Sequence, residues 1–143
     1  MSPEAELAYF SGFFDAVGFI NLTESRGRVL VQVSIRHLDD HALVWAKNHF
    51  GGSVLIRHRK VARPVWQWCL SGKLAERCLQ SMLPYLAVKR ERVQVALEAR
   101  SLLKRQGQKI TSDDRAKRRE LFARLATIEA RSHASIINWT GVR

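Results

Sequence analysis

Three stretches of the chain carry, at strand spacing, side chains suited to gripping phosphates and reading base edges. Asn21, Thr23 and Ser25 alternate with Ile20 and Leu22, and Arg28, Gln32, Ser34 and Arg36 alternate with Val29, Val31, Val33 and Ile35. Further on, Arg57, Arg59, Lys60 and Arg63 surround a turn, and Gln67 lies between Trp66 and Trp68. Guanidinium groups donate in pairs to phosphate oxygens, while amides and hydroxyls offer the donors and acceptors that base edges require. A period of two puts these groups on one side of a sheet and the alkyl groups on the other. Polar strand faces are commonly just solvated, but the charge argues otherwise here. Lys and Arg total 24 against 13 acidic residues, a net +11. Such a surplus repels itself in the folded state and points to a polyanion. Sheets that read RNA display aromatic rings for stacking, and no ring is read onto this face, so duplex DNA is favoured over RNA.

Other chemistries are poorly served. Cys69 and Cys78 are the only cysteines and form neither a disulfide framework nor a zinc pattern. His37, His41, His49, His58 and His133 show no metal-ligand spacing. No apolar run approaches the roughly 20 residues of a membrane span. The first residues lack the layout of a signal peptide, so a cytoplasmic, organellar or nucleoid location is expected rather than secretion. A length of 143 residues suits one domain.

The elements that must position these groups follow from caps and periods. Ser2 and Pro3 open a helix over 3–17, with Glu4 and Glu6 in its first turn. Ala8, Gly12 and Ala16 recur at i, i+4, i+8, widened by Ser11, giving a stripe that a second helix can approach closely. Leu7, Phe10, Phe13 and Phe14 occupy the other sides, which predicts a helix buried nearly all round and ended by Gly18. A hairpin turning at Arg26-Gly27 comes next. Asp39 or Asp40 then caps a helix to about 48, stopped by Gly51-Gly52. In a second hairpin Val54 and Ile56 oppose Leu55, Arg57 and Arg59, with the turn at 60–64. Helices over 73–83, 90–104 and 112–131 complete the order, with 106–108 separating the last two. The expected class is α+β: one four-stranded antiparallel sheet with helices on one face and a helical extension. The expected division is a domain over 1–131 and a tail over 132–143, in which Trp139 has no assigned role.

The nine residues FSGFFDAVG at 10–18 resemble the motif of the LAGLIDADG homing endonucleases. The motif closes a first helix and is followed by the order ββαββα, and LPYLAVKR at 83–90 also resembles a recurrent stretch of that family. The likeness covers about 4–128. It implies an αββαββα fold with a saddle-shaped sheet lying in the DNA major groove. It implies a homodimer of single-motif chains paired through the first helix at Ala8, Ser11, Gly12, Asp15 and Ala16. Ser34, Arg36, Arg57 and Arg59 fall where members place base-reading side chains, and Lys89 falls on a basic position near the scissile phosphate.

At the eighth motif position active members carry an acid. Two such carboxylates, one from each motif helix, hold the Mg²⁺ that activates water. Here the position is Val17, and an alkyl group cannot ligate an ion that demands oxygen. Asp15 points about 200° away around the helix and, by the resemblance, serves the helix junction. Good Mg²⁺ binding is therefore not expected, and the reading is a duplex-DNA binder impaired in cleavage. Two alternatives stay open: an active endonuclease cutting a long pseudo-palindromic site, and a non-nuclease regulator or intron-splicing helper of the same fold.

Overall fold

The computed structural model describes residues 1–25, 28–101 and 111–141, with the backbone alone for Ser25 and 132–141. The predicted turn at Arg26-Gly27, the helix end near Lys104 and the linker at 106–108 lie outside the described residues. So do the side chains of Ser25 and Trp139.

The elements run α1 (Pro3–Val17), β1 (Gly18–Ser25), β2 (Arg28–His37), α2 (His41–Phe50), β3 (Ser53–Arg57), β4 (Val65–Ser71), α3 (Gly72–Met82), α4 (Arg90–Ser101) and α5 (Ser112–Gly141), with a 3₁₀ turn at Leu83–Tyr85 before α4. The sheet is antiparallel in the order β1-β2-β4-β3. The class is α+β, as the periodicities predict.

Alternation decides which way each strand faces. Ile20 and Leu22 from β1, Val29, Val31, Val33 and Ile35 from β2, and Trp68 and Leu70 from β4 are buried beneath the helices. Phe10 and Phe14 of α1, Leu43 of α2, Leu79 and Met82 of α3, and Val95 and Ala96 of α4 fill the same core. Trp68 stacks edge-on to Phe10 at 5.8 Å and donates its indole N–H to the Gly51 carbonyl at 2.9 Å, so its one polar atom is satisfied.

Local chemistry places the ends. The Ser2 hydroxyl accepts from the Ala5 N–H at 3.2 Å, and Asp39 Oδ1 accepts from the His41 N–H at 2.8 Å. Thr111 and Asp114 cap α5 reciprocally, each side chain accepting from the other's backbone N–H. Gly51 and Gly52 take φ of 94° and 88°, a region other residues resist, and so end α2. Gly18 ends α1 for a different reason. Its φ is an ordinary −78°, but a Cβ there would overlap the buried ring of Phe14.

Three expectations need correction. α1 is not buried all round, because Tyr9, Gly12 and Ala16 are exposed in the single chain. β3 stops at Arg57, so Arg59 is not a strand residue. Arg57 pairs with Val65, and the next pairing would need an N–H that Pro64 lacks. Finally, α5 does not stop at Arg131. It runs to Gly141, because neither Gly nor Pro interrupts it earlier.

Candidate nucleic-acid interface

Among the described residues no helix lies on the outer side of the sheet. Asn21 and Thr23 are exposed on β1, Arg28 and Arg36 on β2, and Arg57 at the end of β3. Gln32 and Ser34 are half-buried between their neighbours. Pairing fixes the rows: Asn21 stands opposite Gln32, Phe19 opposite Ser34, and Arg36 opposite Gln67. The structure thus brings Asn21, Thr23, Arg28, Gln32, Ser34, Arg36, Arg57 and Gln67 onto one face. Lys60 and Arg63 sit apart from it, exposed in the loop over 58–64. Arg59 also lies in that loop, its guanidinium donating to the Arg63 carbonyl at 2.7 and 3.0 Å.

Two residues of this face escaped the sequence reading or differ from it. Phe19 is 61% exposed and shares the parity of Asn21, so the face does carry an aromatic ring. A lone ring differs from the set of stacking rings that RNA-reading sheets display. Parity alone is enough to place it there, since the period of two begins at Phe19 itself. Gln67 is only 7% exposed, and its Oε1 has no hydrogen-bond donor among the described residues.

The end of α1 is built in the opposite manner. Asp15 is buried, with Oδ2 accepting from the Ala87 and Val88 N–H groups at 3.0 and 2.9 Å and Oδ1 from the Lys89 N–H at 2.7 Å. These donors stand at the start of α4, where a carboxylate also meets the positive end of the helix dipole. Burial alone would raise the Asp15 carboxyl. The three backbone N–H groups and the Lys89 ammonium outweigh it and hold the group below its ordinary value. In return the Lys89 ammonium donates to the Asp15 carbonyl at 2.7 Å. α1 has no basic residue of its own in its last turn, so Lys89 supplies the positive charge that its free carbonyls favour. Burial, helped by the nearby Arg92 charge and opposed by Asp15, pulls Lys89 below the usual lysine range. Lys89 is therefore a buried clamp between two helix ends, and its ammonium is already engaged.

Val17 is half-buried against the core. The carboxylates nearest in sequence among the described residues are engaged elsewhere. Glu24 pairs with the buried Arg118 of α5 at 3.4 Å, Asp39 caps α2, and Asp15 is saturated by backbone donors. Among the described residues no three His, Cys, Asp or Glu side chains come together in a manner that would hold a metal ion. The donors at this helix end do not fit Mg²⁺, which needs several oxygens at close range. Arg118 itself gave no signal in the sequence, where it reads as one of many solvated charges.

The residues expected at a dimer seam divide. Gly12 and Ala16 are exposed and Ala8 is half-buried; a Cβ on Gly12 would meet nothing within 4 Å. Ser11 and Asp15 face inward: the Ser11 hydroxyl donates to the Leu7 carbonyl at 2.7 Å and is fully buried in its own chain.

No protein-family model and no curated protein sequence matches the chain. Solved structures do. The homing endonuclease I-CvuI in complex with its target superposes with a TM-score of 0.64 at 21% identity, over 89% of this chain and 82% of that one. The archaeal intron-encoded homing endonuclease I-Vdi141I, complexed with DNA, gives 0.70 at 16% identity, over 89% and 86%. The LAGLIDADG meganuclease I-AabMI, bound to uncleaved DNA, gives 0.56 at 19% identity, over 80% of this chain but 43% of its own. The helix-hairpin order and the sheet agree: this chain has the fold of the LAGLIDADG homing endonucleases.

Proposed function

We propose that the chain binds duplex DNA through the outer side of its sheet, as a homodimer joined along α1, and that its metal-dependent phosphodiester cleavage is impaired. The observation that carries this reading is the uncovered sheet face, where Arg28, Arg36 and Arg57 surround amide and hydroxyl groups and no helix competes for them. A twisted antiparallel face of this kind suits the major groove, whose base edges match such side chains. Solved structures of the same fold hold DNA, which supports the choice of partner.

Pairing of two copies is supported by the exposed Gly12 and Ala16, and by I-AabMI, in which one chain has more than twice the span this chain covers. Ala8, Gly12 and Ala16 are the residues that would meet across the axis. Ser11 and Asp15 shape the seam from within.

The impairment rests on Val17, which offers a branched alkyl group where the fold's active members are expected to carry a carboxylate. The test is a nicking assay with Mg²⁺ on supercoiled DNA carrying a bound site, comparing the parent with Val17→Asp and Val17→Glu. Binding without cutting by the parent, and nicking regained in a variant, is the expected result. Cutting by the parent at the variants' rate would return the chain to the active endonucleases.

A further inference from the structure

We propose that Phe19 and Gln67 make the concavity on the outer sheet face a reader of adenine–thymine pairs, an inference that rests on the duplex-binding reading above. The concavity holds about 360 Å³ and is lined by Phe19, Asn21, Gln32, Ser34, Arg36 and Gln67. Two features of it are unexplained by the folded chain alone. Phe19 presents its ring to solvent, the one exposed aromatic among the described residues of a face that also shows Leu30 and Leu55. Gln67, more than nine-tenths buried, keeps an acceptor oxygen with no donor among the described residues. A buried acceptor without a donor is costly, and a ligand donor that reaches it removes that cost.

The chemistry of the four bases selects the ligand. Adenine shows an N6 amine beside the N7 acceptor, matching the oxygen and the NH₂ of one glutamine amide once the Gln67 amide, whose oxygen is closed to solvent in the free chain, turns outward on binding. Guanine shows two acceptors there and gives the Gln67 oxygen nothing. Cytosine has an amine but no methyl group, whereas the thymine partner of adenine carries the C5 methyl that an aromatic ring can cover. Phe19 is well placed to hold such a contact. The backbone just before it is pressed against Phe14 at Gly18, and its strand partner Ser34 is short enough to leave the ring accessible.

The experiment is selection of random duplexes with the full chain, followed by affinity measurements on the selected duplex. An adenine–thymine pair should be enriched at a position governed by Gln67. Gln67→Glu should move the preference from adenine to cytosine, whose amine a carboxylate accepts, with a change in discrimination of about five- to a hundredfold. Should that carboxylate prevent folding, Gln67→Leu keeps the bulk, loses both amide groups and should flatten the preference. Replacing thymine by deoxyuridine should weaken the parent about fourfold, the value of one buried methyl, and leave Phe19→Ala unaffected. Enrichment and thymine discrimination that persist unchanged in the variants, with duplex binding retained, would overturn this inference alone. Absence of any duplex binding by the parent at low salt would overturn the binding reading and this inference with it.

Discussion

The outer sheet face and the junction of α1 with α4 solve opposite problems within one small chain. On the sheet, polar groups stand in the open, and one buried oxygen lacks a donor. At the junction both oxygens of the Asp15 carboxylate accept backbone N–H groups, and one N–H of the Lys89 ammonium is held by the Asp15 carbonyl. An undersatisfied surface recruits a ligand, whereas a saturated one holds helices in place. Binding and cutting thus rest on separate ground: the groups proposed to meet DNA owe nothing to Val17, and the helix end beside Val17 is occupied with architecture.

Salt should separate the two regions most sharply. If six or more phosphates are neutralised by a dimer, duplex affinity should fall by about a thousandfold between 50 and 200 mM salt. Fold stability over the same range should change little, because the Asp15 bonds are buried. A mobility-shift titration beside a denaturant melt measures both, and a nearly flat affinity would remove the sheet from the account.

Next in size is the junction. Asp15→Ala strands three backbone N–H groups and removes the negative charge facing Lys89, whose ammonium keeps its bond to the backbone carbonyl of residue 15, and should cost about 3 kcal/mol of stability by chemical denaturation. The same group sets an acid limb. Since its folded pKa lies below the unfolded value of about 4, its contribution is present above that value and lost as pH falls through the folded pKa. Asp15→Asn should weaken the fold at neutral pH and shrink the gap to the parent in acid. An equal gap at pH 7 and pH 2 would show that the carboxylate charge does not matter.

Arg57 provides the converse on the sheet. It is exposed and ends its strand, so Arg57→Ala should weaken duplex binding by about 1–2 kcal/mol and leave the melting temperature in place. A matching loss of stability would mean that this arginine supports the hairpin. The smallest stability effect is expected at Gly12, where a Cβ meets open space. Gly12→Ala should stabilise the isolated chain by about 0.5–1 kcal/mol through helix propensity. Gly12→Leu should keep the fold but prevent pairing, read by sedimentation; a dimer unchanged by leucine would place the seam elsewhere.

What could be read from residues alone follows the reach of each signal. The face of β2 was legible because Val29, Val31, Val33 and Ile35 repeat at the period of the strand. α1 was legible to the residue because Ser2, Pro3 and Gly18 are local signals. Arg59 was not, since its strand would have ended where the pairing partner is proline, a fact that belongs to register. Ser11 reads as widening the open stripe, and Asp15 is placed at the seam by the resemblance; in the single chain both are buried, Ser11 bonded to the Leu7 carbonyl and Asp15 to the backbone of 87–89. Phe19 opens the period of two and shares the parity of Asn21, but a large aromatic is ordinarily expected toward the core, and its exposure shows only in the fold.

The Lys89 N–H bond to Asp15 closes a sequence separation of 74 residues. During synthesis α1 is complete long before residues 87–89 exist, and until they emerge its carboxylate has no backbone donors and Phe10 and Phe14 have no finished core to enter. The motif helix must therefore wait, exposed, for most of the chain that will cover it, and loop closure over such a distance is slow. The helix proposed to join two finished copies is thus an early exposed apolar element of each unfinished one, which makes its timely docking a matter of translation as well as of affinity.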